Sequence, residues 1–306
     1  MSTPSRSTEN LGRRPHLERG RPTHSVFVVG AGRLGGALAR SLVATGWKVE
    51  TWTRSARKVR IPGSRQREGE LPEKLQADLI LLTVPDRVIA PLALLLADSE
   101  RIGKGQVVAH CSGALGLEVL APLRDRGAHT GSLHPLASAS SASTDLRGHA
   151  AAIEGSPKAL RLLRRVARDT GLRPIAVDPD QRGVYHAAAS LAANGLVSLA
   201  DLATELLTSA GVSREMALEA LLPLFDSALK GLSSRGLPDA LTGPVARGDA
   251  AVIQAHLDAL AGTPADAVYR ELSRRALDLA RAQGKAEPEA LERVEALLDK
   301  RRRGRR

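Results

Sequence analysis

Three short runs carry side chains able to move a proton or hold a polar substrate. They are His110-Cys111-Ser112-Gly113-Ala114, Ser132-Leu133-His134-Pro135, and Tyr185-His186-Ala187-Ala188-Ala189-Ser190-Leu191-Ala192-Ala193-Asn194. Histidine titrates near neutrality, so His134 and His186 are candidates for the acid/base work that accompanies reduction of a carbonyl or imine. A hydrogen bond to loop backbone is the plainer alternative for each. His186, Ser190 and Asn194 fall within about 80° of one another at about 100° per residue on an otherwise apolar helix. Such a polar stripe needs partners when buried, and substrate or neighbouring helices would serve equally. Ser112 and Asn194 are expected to hydrogen-bond whatever is bound. Cys111 reads as a small filler at a strand end. The set His110, Cys111, His129 and His134 lacks metal-ligand spacing, so no metal is expected.

These runs need elements to position them, and the strongest positional signal is Val26-Phe27-Val28-Val29-Gly30-Ala31-Gly32-Arg33-Leu34-Gly35. A β-branched run enters G-x-G-x-x-G, and an Ala/Leu helix pattern follows. Gly30 permits the tight turn, Gly32 the close approach of a pyrophosphate, and Gly35 the packing of helix on strand. Ala31, Arg33 and Leu34 lie between the glycines, where phosphates would meet the helix's first amides. Val84 and Pro85, after the strand 79–84, are expected to line the same site.

The end of the second strand selects the dinucleotide. An acid there would grip the 2′-hydroxyl of NAD, whereas an Arg suits the 2′-phosphate of NADP. The strand ends Trp52-Thr53-Arg54-Ser55, with Arg57 and Lys58 beyond, while Glu50 stands too early. Thr53, Arg54 and Ser55 therefore predict NADP.

Alternating strand and helix signals over 25–178 predict a doubly wound α/β domain with a parallel sheet. After Asp178-Pro179-Asp180 the strand signals stop, and 179–283 reads as an all-helical domain with helices over 181–210, 213–232, 249–260 and 264–283. Within it Leu241-Thr242-Gly243-Pro244-Val245-Ala246-Arg247-Gly248-Asp249 forms a defined loop, with Asp249 suited to cap the helix that follows. Residues 1–24 read as a disordered basic tail. Residues 284–306 read as a second basic tail in which 288–301 has helix potential.

The net charge of +11 divides unevenly over the 306 residues. Residues 1–24 carry five Arg against two Glu, and 284–306 carry eight Lys/Arg against five acids. The run Lys300-Arg301-Arg302-Arg303-Gly304-Arg305-Arg306 offers contact to a polyanion. Aromatics make up only 2% of the chain, which leaves little for stacking on bases, and a solvated tail is the simpler reading. A single cysteine fits a reducing cytoplasm. No apolar run is read as approaching the roughly 20 residues that span a bilayer, so no membrane role is expected.

Six ordered segments, GAGRLGGALARSL, TVPD, HCSGA, SLHPL, YHAAA…AAN and LTGPVARGD, resemble the Rossmann-like proteins with a C-terminal domain of unknown function 2520. That family is similar to the 6-phosphogluconate dehydrogenase-like superfamily, which includes pyrroline-5-carboxylate reductase, prephenate dehydrogenase and F420-dependent NADP oxidoreductases. The resemblance implies NADP binding, a helical C-terminal domain and a homodimer formed through it. His134-Pro135 is similar to the His-Pro after a strand in prephenate dehydrogenases. The superfamily's hydroxyacid dehydrogenases carry Lys and Asn one turn apart on the first helix after the Rossmann domain. Here Ser190 precedes Asn194 at that spacing.

The expected activity is NADP(H)-dependent transfer of hydride to or from a small C–O or C–N centre. A protein that binds NADP(H) or a metabolite without catalysis is the alternative, and a tail-mediated nucleic-acid role is a third.

Overall fold

The computed structural model describes residues 24–55 and 60–300. The expected basic tail 1–24 but for its last residue, Arg57 and Lys58, and 301–306 lie outside the described residues. The chain divides into two compact units, 1–193 and 194–306.

The first unit is built on an eight-stranded sheet in the order β3-β2-β1-β4-β5-β6-β7-β8. The strands are β1 (Ser25–Val29), β2 (Lys48–Thr53), β3 (Arg65–Glu68), β4 (Leu79–Leu82), β5 (Val107–His110), β6 (His129–Pro135), β7 (Ala150–Gly155) and β8 (Arg173–Ile175). All neighbours pair in parallel except β6 and β7, which run antiparallel, a departure from the all-parallel sheet expected. The strand β3, with sequence RQRE, has no apolar alternation to announce it. At a sheet edge a strand needs only backbone pairing on one side, and polar side chains protect it.

Period-two alternation sorts the strand residues into two cores. Val26, Val28, Leu79 and Leu81 pack with α1 (Arg33–Ala44) and α4 (Pro157–Thr170). Phe27, Val29, Ile80 and Leu82 pack with α2 (Asp86–Asp98) and α3 (Ala121–Asp125) on the other face. Covering both faces explains the continuous apolar strands. It leaves the carboxyl ends of β1, β4, β5 and β6 as the row of exits where polar residues gather.

After β8, α5 (Arg182–Ser190) leads into a π-helical turn, Leu191–Gly195, and then α6 (Leu196–Ser209). One helix over 181–210 was expected. The units part between Ala193 and Asn194 rather than near 178, because α5 stays with the sheet. In the second unit, α7 (Arg214–Arg235) precedes α8 (Ala250–Leu260), α9 (Pro264–Gln283) and α10 (Pro288–Asp299). The last three share a core of Ile253, Leu257, Leu277, Leu291, Val294 and Leu298. Residues 288–299, assigned to a basic tail from sequence, thus form a packed helix. Asp249 caps α8, its carboxylate accepting from Val252 N–H at 3.2 Å.

The stretch Pro179–Ser209 is long and apolar enough to cross a membrane by length and composition, and only 6% of its 18-residue apolar window is buried. The sequence reading looked for a continuous apolar run of that length and expected no spanning segment, whereas this helix reaches the length on mean hydropathy. The helix pattern there is interrupted by single polar residues and has no continuous apolar run.

Candidate functional site

The turn after β1 is held from three sides. Gly30 N–H donates to Trp52 O at 2.8 Å, Gly32 N–H donates to Gly30 O at 2.7 Å, and Thr83 Oγ1 donates to Gly30 O at 2.7 Å. Gly30 has φ +98°, a left-handed conformation that favours glycine. A Cβ there would also lie 2.9 Å from Val84 Cγ1. A Cβ on Gly35 would overlap Gly30 O and Thr83 Oγ1, so α1 closes on the strands only because that position is bare. Gly32 precedes α1 and supplies no side-chain cap, which leaves the first-turn amides available to an anion.

Gly30, Ala31, Gly32, Arg33, Leu34, Thr53, Arg54, Ser55, Val84 and Pro85 line one cleft of about 720 Å³. Every residue expected at the cofactor site is there except Gly35, which packs beneath it. Ligand pockets span about 300–1,000 Å³, so the volume suits a nucleotide. Arg54 is exposed and forms no ion pair among the described residues. Glu50 is turned away and paired with Arg67 on β3. Trp52, Thr83, Arg87, Val88 and Leu92 also line the cleft, and the sequence reading had not placed them there. Arg87 had a signal, as the second residue of the helix after TVPD.

The first unit also forms a histidine cluster on the same edge of the sheet. His134, at the end of β6, has its Nδ1 2.7 Å from the hydroxyl of Tyr185. The His134 and His186 rings meet edge to face, with centroids 5.8 Å apart. Both imidazoles close over Gly113, where a Cβ would lie 2.5 Å from His186 Nδ1 and 2.6 Å from His134 Cε1. His186 Nδ1 is buried and has no hydrogen-bond partner among the described residues. Burial, helped by His186 and Arg182, lowers the His134 pKa to about 4, so the ring is neutral near pH 7. Burial also raises the Tyr185 pKa.

Arg182 sets the entry of α5. It is buried, pairs with Glu154 of β7, and lies 3.3 Å from Ser132 Oγ of β6. This ties the first turn of α5 to two strands and brings Tyr185 and His186 to His134.

Other expected site residues have different surroundings. Ser112 Oγ accepts from Ala114 N–H at 3.1 Å and Leu115 N–H at 3.0 Å, so its oxygen shapes the loop after β5. His110 is buried, with Nε2 3.1 Å from Gly116 O and Nδ1 accepting from Ser112 N–H. Both ring nitrogens serve backbone, and burial lowers its pKa. Cys111 is buried and its thiol pKa is pushed up by burial, in keeping with a filler. Asn194 is exposed and opens the second unit, so the first unit's cluster is built without it. The π-helical turn breaks the 100° step that had aligned it with His186 and Ser190. Arg247 is exposed.

A Rossmann-like domain model matches residues 10–135, and the model of domain of unknown function 2520 matches 149–276. No curated protein matches the sequence. Among solved structures, a Bacteroides fragilis protein provisionally described as an NADP oxidoreductase is 25% identical, with a TM-score of 0.67 over 83% of this chain and 97% of that one. A Thermotoga maritima protein is 23% identical, with a TM-score of 0.65 over 85% and 100%. A Plasmodium falciparum pyrroline carboxylate reductase with NADP bound shares the fold at 12% identity, with a TM-score of 0.54 over 91% and 99%. The chain therefore belongs to the Rossmann-like proteins with a C-terminal domain of unknown function 2520.

Proposed function

We propose that this protein is an NADP(H)-dependent oxidoreductase acting on a small C–O or C–N centre. The observation that carries the reading is the placement of two sites on one sheet edge. A glycine cradle lies at the exit of β1, and at the exit of β2 stands Arg54, which has no ion pair among the described residues. The neutral His134 and its partners stand at the exits of β5 and β6. Ligands of open α/β sheets bind beyond the carboxyl ends of the strands, and adjacent strands are about 4.8 Å apart. Similarity to the Bacteroides fragilis protein supports the same reading.

When bound, the nicotinamide would supply the hydride. The chain's own residues do the rest. Amides at the start of α1 hold the pyrophosphate, and Arg54, with Thr53 and Ser55 beside it, holds the 2′-phosphate by charge-assisted bonds. Thr83 fixes the turn that presents those amides. His134 and His186 orient the substrate and carry the proton that accompanies reduction.

A second copy of the chain completes the molecule in this proposal. In the second unit Val197 of α6 is 69% exposed, and Met216, Leu222 and Leu224 of α7 are exposed too. Apolar surface of this extent marks an interaction face.

The reading is tested by incubating the protein with NADPH and a panel of small oxo- and imino-acids while following the absorbance of the reduced carrier. At least one saturable turnover, abolished in His186→Ala, is expected. Tight carrier binding with no oxidation on any substrate would contradict catalysis.

A further inference from the structure

Tyr185 Oη lies 2.7 Å from His134 Nδ1 and 3.3 Å from the His134 carbonyl oxygen. A phenol has one proton to give. The longer contact falls outside the range of about 2.5–3.0 Å typical of O–H···O bonds, and the shorter is close to ideal. Its proton is therefore assigned to Nδ1, the nearer of the two acceptors. A neutral imidazole that accepts at Nδ1 carries its own proton on Nε2. That edge faces Gly113, whose Cβ position lies 2.8 Å from Nε2.

We infer that Tyr185 fixes His134 as a hydrogen-bond donor through Nε2, and that the site takes carbonyl substrates in preference to protonated imines. A carbonyl oxygen accepts from Nε2–H, whereas the N–H of a protonated imine would oppose it. The substrate class rests on the reductase reading above, but the tautomer does not. In the step implied, the carbonyl carbon gains hydride and the π pair moves to oxygen. That oxygen takes the proton from Nε2 as Nδ1 takes the phenol proton, and after the alcohol leaves, water protonates Nε2 while Nδ1 returns its proton to the tyrosinate. Both electrons arrive with the hydride. His134 need never be an imidazolium, in keeping with its low pKa. A neutral histidine kept as an electrophile has precedent in enzyme chemistry.

Proton–nitrogen correlation spectra of the nitrogen-labelled full chain, without ligand, read the tautomer directly. The expected spectrum near neutral pH shows His134 protonated at Nε2 and bare at Nδ1, and Tyr185→Phe gives a mixture of tautomers. A proton on Nδ1 in the unmodified protein, or an unchanged pattern in Tyr185→Phe, would overturn the inference. With NADPH, kcat/KM for 2-oxo acids or aldehydes should exceed that for cyclic imines by about tenfold or more. The reverse preference overturns the substrate class and leaves the reductase reading standing. Failure to bind NADPH removes the substrate class together with that reading, while the spectra still decide the tautomer.

Discussion

Tyr185 presents its hydroxyl to His134 Nδ1 at 2.7 Å across 51 positions of chain. One residue ends a strand inside the sheet, and the other lies in the helix that follows the last strand. Arg182, anchored to Glu154 and near Ser132, holds the two elements in that relation.

The bare position at Gly113 is as demanding as the pair itself. In Gly113→Ala the new methyl would press on both imidazoles. Overpacking of this kind costs about 1–3 kcal/mol. Urea denaturation should register that loss, and turnover should fall at least tenfold by roughly the same principle of misplacement. NADPH affinity should stay within about twofold, because Gly113 is not among the residues lining the nucleotide cleft. An undisturbed active site in this variant would show that the imidazoles do not close on Gly113.

Gly30→Ala tests the cradle. Its φ of +98° and the approach to Val84 make a side chain strained there. Strain of about 1–3 kcal/mol is expected, with NADPH binding weakened at least tenfold by calorimetry. Wild-type affinity would remove Gly30 from the phosphate site.

Stability should depend on pH through His134. An ordinary histidine titrates near about 6.5, whereas burial holds this one at about 4, with His186, Arg182 and His110 disfavouring the charge and Asp86 favouring it. Between those values the unfolded chain binds the proton more readily than the folded one. The contribution is therefore complete above the upper value and is lost as pH falls toward the lower. Its size is about 2 kcal/mol after allowance for partial exposure. His134→Gln should flatten that part of the urea-midpoint profile, leaving the share from His110, whose pKa is lowered in the same direction. An unchanged profile would contradict the burial argument.

The exposed apolar surface of the second unit should belong to a dimer. Light scattering on the full chain is expected to give twice the mass of one copy, and Val197→Glu combined with Leu224→Glu should give one. A monomer in the unmodified protein at micromolar concentration would contradict the second-copy reading.

The features legible in the sequence were those carried by local pattern. The glycine turn, the capping Asp249 and α9 at 264–283 follow from spacing and end signals over a few residues. What escaped depends on distant neighbours. The strand β3 exists because β2 offers an edge. Asn194 left its expected face because five residues adopt π geometry. Tyr185 stood in the quoted motif without a role, since nothing local announces a partner in β6. Thr83 and Arg87 acquire theirs only when β4 lies beside β1. Ser112 was read for the hydroxyl it offers, and the loop it folds around claims the oxygen.

The most direct test of the account is calorimetry of the full chain with NADPH and NADH, repeated on Arg54→Asp. Heat with NADPH, binding tighter than for NADH, and a loss in the variant that is at least about tenfold larger for NADPH are predicted from a guanidinium on the 2′-phosphate. No heat with either carrier at millimolar concentration would contradict the dinucleotide cleft. Equal losses for both carriers would contradict the role of Arg54.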